Sequence, residues 1–234
     1  MKILSVDSSA IVASVALCED GRLLAEYTIN NKNTHSETLL PMIESALSFF
    51  SLDACDIDLF AVSSGPGSFT GVRIGTATVK GLAFATDKPC VGVSTLEAIA
   101  YNLRFHHGLI CPVMNARREQ VYTALFRSDG ENLTRLMDDS AIAISELDAI
   151  LAEYGEEVAF AGDGYDICIR GLNKTAVRPV PERLRHQSAF SVAEVAYKKY
   201  LCKETDSDRT LGVDYLRPSQ AERERAEREN QQKQ

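Results

Sequence analysis

Chemistry in this chain would have to come from a few polar residues set among apolar runs, and the densest group is Ser63-Ser64-Gly65-Pro66-Gly67-Ser68-Phe69-Thr70-Gly71-Val72-Arg73-Ile74-Gly75. A glycine-rich turn between a strand and a helix can turn backbone amides towards an anion. Its spacing excludes three such sites. No Gly-Lys-[Ser/Thr] follows, so a P-loop lysine is missing. After Gly65 and Gly67 the third glycine of a dinucleotide fingerprint should be residue 70, which is Thr70. A nucleophile elbow would need glycines where Pro66 and Thr70 flank Ser68. What remains is a tight turn feeding a helix, or a ligand contact of another kind. Ser68 and Thr70 have no histidine at a spacing that would activate them. Of the four histidines, His35, His106, His107 and His186, no two are four residues apart, so no His-x3-His metal pair exists on one helix face. His35 and Glu37 look like an acid–base pair, but Thr34 and Glu37 also form a capping-box pattern that opens a helix.

The elements that must hold these residues follow from periodicity. Strands are expected over 2–7, 11–18 and 23–30, with Asp20-Gly21 as a hairpin turn. A helix over 35–50, a strand over 59–63, a helix over 71–86, a strand over 90–93 and a helix over 96–103 follow. Gly71 and Gly75 inside the second helix each cost on the order of 1 kcal/mol relative to alanine, which predicts close approach of another element. The pattern then restarts with strands over 109–114, 120–126 and 132–137, a helix over 145–154, a strand over 158–161, the turn Gly162-Asp163-Gly164 and a helix over 188–200. A repeated three-strand opening predicts a duplicated α/β fold of two lobes, 1–104 and 105–218, followed by a charged tail over 219–234, either disordered or an exposed helix.

With 45% hydrophobic residues the chain can build an ordinary core. Asp7 arrives too early for a secretory leader, and no run approaches the roughly 20 apolar residues of a membrane span, so a cytoplasmic protein away from membranes is expected. The six cysteines lack any Cys-x-x-Cys and are expected to be reduced core thiols. A net charge of −8 argues against strong binding of RNA by this chain alone.

The glycine-rich segment from Gly65 to Gly75 resembles the signature of the TsaB (YeaZ) family, relatives of the TsaD threonylcarbamoyl transferases. Val6-Asp7-Ser8-Ser9, Thr34-His35-Ser36-Glu37 with Leu39-Leu40-Pro41, Asn115-Ala116-Arg117-Arg118 and Asp214-Tyr215-Leu216-Arg217 extend the resemblance over nearly the whole chain except the tail. It implies an actin-like ATPase (ASKHA, ribonuclease H-like) fold. In such folds an aspartate at the place of Asp7 positions a phosphate-bound magnesium, and Ser8 and Ser9 could offer hydroxyls to phosphate. A turn is the competing use of Asp7-Ser8-Ser9. Gly162, Asp163 and Gly164 could be the remnant of an adenosine loop, or again a plain turn. Asn115 and Gln120 depart from the family's usual carboxylates, which weakens any case for metal-assisted hydrolysis. The segment that resembles the metal-bearing region of TsaD, Gly92 to Ile99, contains no histidine.

The function implied is a noncatalytic subunit, with no metal and no cofactor of its own, in N6-threonylcarbamoyladenosine (t6A) formation on tRNA beside the anticodon. It would bind a TsaD-type transferase and a TsaE-type ATPase, with ATP or ADP at a shared interface, touch tRNA only through that complex, and form a homodimer in isolation. Leu39, Leu40, Ile43, Leu47, Val72, Gly75, Thr76 and Val79 are the expected interface residues on the first two helices, and Leu39→Glu with Val79→Glu is expected to abolish association while sparing the fold. The alternative is an independent glycoprotease-type metallopeptidase or a small-molecule kinase.

Overall fold

The computed structural model describes residues 1–31 and 34–217; the charged tail expected over 219–234 lies outside them. Strand β1 (Lys2–Asp7) is flanked by antiparallel β2 (Ala13–Glu19), which pairs with β3 (Arg22–Ile29) through the expected hairpin. Asp20 and Gly21 both take positive φ, 49° and 77°, as a tight hairpin turn requires. On its other side β1 pairs in parallel with β4 (Leu59–Gly65), and β4 with β5 (Cys90–Ser94), giving the order β3-β2-β1-β4-β5. The chain then repeats this plan. β6 (Gly108–Asn115), β7 (Gln120–Ser128), β8 (Leu133–Ala143), β9 (Val158–Ala161) and β10 (Val177–Arg178) form a second sheet of order β10-β9-β6-β7-β8. Matching roles, strand for strand, make this a duplicated actin-like α/β fold of two lobes.

The central strands read as continuous apolar runs because helices cover both faces. Leu4, Val6, Val15, Phe60 and Val62 face α1 (His35–Ser48) and α2 (Phe69–Thr86). Ile3, Ala16, Leu59, Ala61 and Val91 face α3 (Thr95–Tyr101) and α6 (Ala189–Leu201). α3 presents Leu96, Ile99 and Ala100 to Ile110, Phe126 and Ala159 of the second sheet, so it is shared between the lobes. The far face of that sheet is covered by α4 (Ile144–Ala152) and α5 (Tyr165–Gly171). Burying a side chain such as Leu4 or Phe60 contributes roughly 2 kcal/mol.

Several expectations change. β2 starts at Ala13, because Ile11 lies in a bend and is 66% exposed. β8 runs to Ala143, past the expected end at 137, since edge pairing with β7 continues through two register shifts. α5 and β10 were not expected from periodicity. Thr34 caps α1 in position but not through its side chain: Thr34 Oγ1 lies 3.1 Å from Ser36 Oγ, so the capping box does not form. Four cysteines are buried, with burial pushing Cys18 and Cys168 up to about 12, whereas Cys55 and Cys202 are exposed. The helix α6 returns from beyond residue 188 to complete the first lobe, Ser5 Oγ donating to Ala189 O at 2.6 Å.

Candidate functional site

The motifs that are distant in sequence meet where the carboxyl ends of β1, β4 and β6 face one another. Asp7, the last residue of β1, is fully buried, and both its oxygens are occupied. Oδ1 accepts from Ser9 N (2.9 Å) and Ser9 Oγ (2.6 Å), and Oδ2 accepts from Ser63 Oγ (2.5 Å). Burial pushes the Asp7 carboxyl above its usual range, against the opposing effect of those bonds and of the His35 charge.

The glycine-rich turn is fitted around the next two residues. Ser8 Oγ donates to Gly71 O at 2.9 Å, and Ser68 N donates to Ser9 O at 2.7 Å. A Cβ on Gly71 would run into Ser8 O, one on Gly67 would lie 2.5 Å from Ser9 O, and one on Gly75 would lie 2.5 Å from Ser8 Oγ. The close approach expected of Gly71 and Gly75 is therefore present, and the approaching element is the segment that follows β1. Ser68 caps α2 by accepting from Gly71 N at 3.4 Å. In this arrangement the amides of Ser68 and Gly71 serve the protein's own oxygens.

The C-terminal segment closes over the same turn. Asp214 N donates to Ser64 O (2.8 Å), Ser64 Oγ donates to Asp214 Oδ2 (2.8 Å), and Lys80 Nζ donates to Leu211 O (2.9 Å). Gly65, with φ of 133°, leaves room for the Asp214 carbonyl. Tyr215 stacks on Phe69 with ring centres 4.9 Å apart, and Arg217 reaches the second lobe to donate to Gln120 Oε1. The resemblance marked residues 214–217, but no periodicity or charge pattern announced that they strap the lobes together. His35 is spent as well, its Nε2 lying 2.6 Å from Ala10 O, which removes it from any acid–base pair with Glu37.

Across the cleft, Gly162 and Gly164 pack against the backbone of Val113 and Met114, where a Cβ on Gly162 would run into Val113 O and one on Gly164 would be tightly fitted, and Asp163 Oδ1 accepts from Asn115 N at 3.2 Å. Asp163 opens to the cleft, yet the surrounding protein pushes its carboxyl up, and the charge of Asp7 adds to that shift. The candidate nucleotide residues are thus brought to one cleft from two lobes, but Ser8 and Ser9 are buried with their hydroxyls engaged, and Asp163 is the polar group left facing outward. Among the described residues no group of three or more His, Cys, Asp or Glu could hold a metal ion. A separate cavity of about 220 Å³, bounded by Tyr101, Arg104, Phe190, Glu194 and Lys198, contains none of the motif residues.

The expected partner face needs correction. Leu39, Ile43, Leu47, Val72, Gly75, Thr76 and Val79 are buried against the first sheet or the segment after β1; of the expected set, Leu40 alone is exposed, at 50%. Apolar periodicity marks the side of a helix that covers its own sheet, which is why it selected these. The outward side of the pair carries Leu40, Glu44, Arg73, Ala77, Gly81 and Phe84, the last 73% exposed.

Three comparisons bear on identity. A family model described as TsaD, tRNA N6-adenosine threonylcarbamoyltransferase, matches residues 22–225. The tRNA threonylcarbamoyladenosine biosynthesis protein TsaB of Bacillus subtilis is 36% identical over 162 residues, covering 69% of this chain and 71% of that one. The protein of the same name from Escherichia coli is 33% identical over 149 residues, covering 63% and 64%. A solved structure from Pseudomonas aeruginosa, of a protein with similarity to peptidase YeaZ, superposes with a TM-score of 0.81 at 26% identity over 92% of this chain and 99% of that one.

Proposed function

Since the chain belongs to the TsaB (YeaZ) family, matched by the TsaD family model over most of its length, we propose that it acts as a noncatalytic subunit in t6A formation on tRNA, with the transfer chemistry carried by a TsaD-type partner. The observation that carries this reading is the use made of the strand-end polar groups. Asp7, Ser8 and Ser9 are each bonded to the protein's own turns, so the residues an actin-like enzyme would turn towards substrate here fix the glycine-rich turn and the start of α2.

Partner binding falls to the outward side of α1 and α2, where Leu40 and Phe84 leave apolar surface in reach of another helix pair. The same face would serve a homodimer when the partner is absent. A TsaE-type ATPase would share a nucleotide site at the cleft, with Asp163 and the Gly162–Gly164 backbone as this chain's contribution. Light scattering on size exclusion is the test: mixing with the cognate TsaD-type protein should replace the species formed by this chain alone with a complex of one copy each. Intact t6A in cells lacking this chain, or no complex with or without ATP, refutes the reading.

The carboxylates Asp7 and Asp163, the first buried at the end of β1 and the second at the cleft with its proton held by the surrounding protein and the Asp7 charge, favour the alternative of an independent glycoprotease-type metallopeptidase or small-molecule kinase. Turnover of ATP or stoichiometric zinc or iron in the purified chain would decide for it.

A further inference from the structure

On a chain with net charge −8, arginines gather where the C-terminal strap crosses between lobes. The Arg73 guanidinium lies 3.7 Å from the centre of the Phe69 ring, and its Nε donates to the Tyr215 hydroxyl at 2.5 Å. Two residues further, Arg217 bonds Gln120 Oε1 and, at 3.5 Å, Ala116 O. Ala116 opens the β6–β7 turn that carries Arg117 and Arg118, both exposed. Arg73 and Arg217 thus hold neutral acceptors, and among the described residues neither has a carboxylate within 4.0 Å. Of the carboxylates in these segments, Asp214 is engaged by Ser64 Oγ and Glu119 is exposed in the turn itself.

Two further features set this rim apart from scattered surface charge. Arg117, Arg118 and Glu119 take φ of 63°, 53° and 56° in succession, a left-handed run that costs on the order of 1 kcal/mol per residue. The run is held by Arg117 N donating to Asn115 Oδ1 (2.8 Å) and Ala116 N donating to Gln120 O (3.0 Å), and it sets two arginines side by side on a fixed turn. Two residues before Arg217, Tyr215 is 44% exposed, stacked with Phe69 and with the Arg73 guanidinium 5.5 Å from its ring centre. Guanidinium groups next to an exposed, supported aromatic plane suit phosphates with an unpaired base between them, whereas an acidic protein surface would use the charges alone.

We propose that this rim, Arg73, Arg118 and Arg217 with Tyr215, contacts the sugar–phosphate backbone and an unpaired base of RNA when the chain is assembled with its transferase. The inference rests on the t6A reading and assigns the surface by which this subunit meets the tRNA. On its own the chain's acidity opposes binding, so the contact adds to affinity supplied mainly by the partner.

The test uses the complex with the TsaD-type protein and a labelled RNA hairpin whose loop carries the unmodified adenine, followed by fluorescence anisotropy over a salt series. Arg118→Glu should weaken binding about tenfold and lower the slope of log affinity against log salt by roughly one, with Arg118→Gln intermediate. Lys203→Glu makes the same charge change at an exposed position on a different segment and should leave both quantities unchanged. If Arg118→Glu behaves as Lys203→Glu, or if it releases the protein partner on size exclusion instead of the RNA, the rim is not an RNA contact. Intact t6A in cells lacking the chain would remove the reading beneath the proposal, whereas t6A that requires the chain, with RNA affinity indifferent to Arg118, would remove the rim alone.

Discussion

Gly71 and Gly81 lie on one helix and should respond oppositely to the same substitution. Gly71 has the Ser8 carbonyl where a Cβ would go, while Gly81 has nothing within 4 Å. Gly71→Ala should destabilise the chain by roughly 2–3 kcal/mol through backbone overpacking, and Gly81→Ala should stabilise it by about 0.5–1 kcal/mol; urea midpoints at unchanged m-value read both. Asp148 supplies a second residue-scale prediction. Burial opposes its charge, but amides of Asn173, Lys174 and Thr175 and the Thr175 hydroxyl, all within 3.1 Å, outweigh it and hold the carboxyl below its usual range. A depressed carboxylate stabilises the fold above its unfolded value near 3.9 and loses that contribution as pH falls through the folded value. Asp148→Asn should therefore cost roughly 1.5–3 kcal/mol at neutral pH, and its stability gap to wild type should narrow below about pH 4. Neither the seat of Gly71 nor the cradle of Asp148 could be located from sequence. Gly71 and Gly75, a turn apart in one helix, signalled that something came close, but the approaching atoms belong to a residue more than sixty positions earlier.

At the scale of elements, local pattern carried most of the strands. β1, β4 and β9 begin where apolar runs begin, and the Asp20-Gly21 turn forms as its residue types demand. α5 escaped because Tyr165, Ile167 and Ile169 alternate at a strand's period, β10 because two residues show no alternation, and the outer half of β8 because it alternates only weakly as an edge strand. Helix faces misled in a more instructive way, since the apolar stripe of α1 and α2 is the stripe that each needs for its own sheet. Val79→Glu, expected from sequence to break only an interface, instead places a charge at a fully buried position and should unfold the first lobe. Leu40→Glu with Phe84→Glu, on the outward side, should leave the thermal midpoint within a few degrees of wild type and abolish association with the TsaD-type protein; retained association would show that another face is used.

For the molecule as a whole, the segment from Leu211 to Arg217 acts as a strap. Leu211 is 2% exposed in the first core, and Arg217 is bonded in the second lobe. Ending the chain at residue 209 should cost roughly 2–3 kcal/mol, on the order of 5–10 °C in thermal midpoint, and should speed amide exchange at Gln120 and its hairpin. A connection of this length across two lobes has no local signature, because its partners are chosen by the finished fold. The return of α6 has a consequence for how the protein is made. Until residues 189–201 have left the ribosome, the face of the first sheet that bears Ile3, Leu59 and Val91 has no cover from that helix, although its strands were synthesised first. A nascent chain that has emerged only as far as the second sheet is therefore a substrate for holding chaperones.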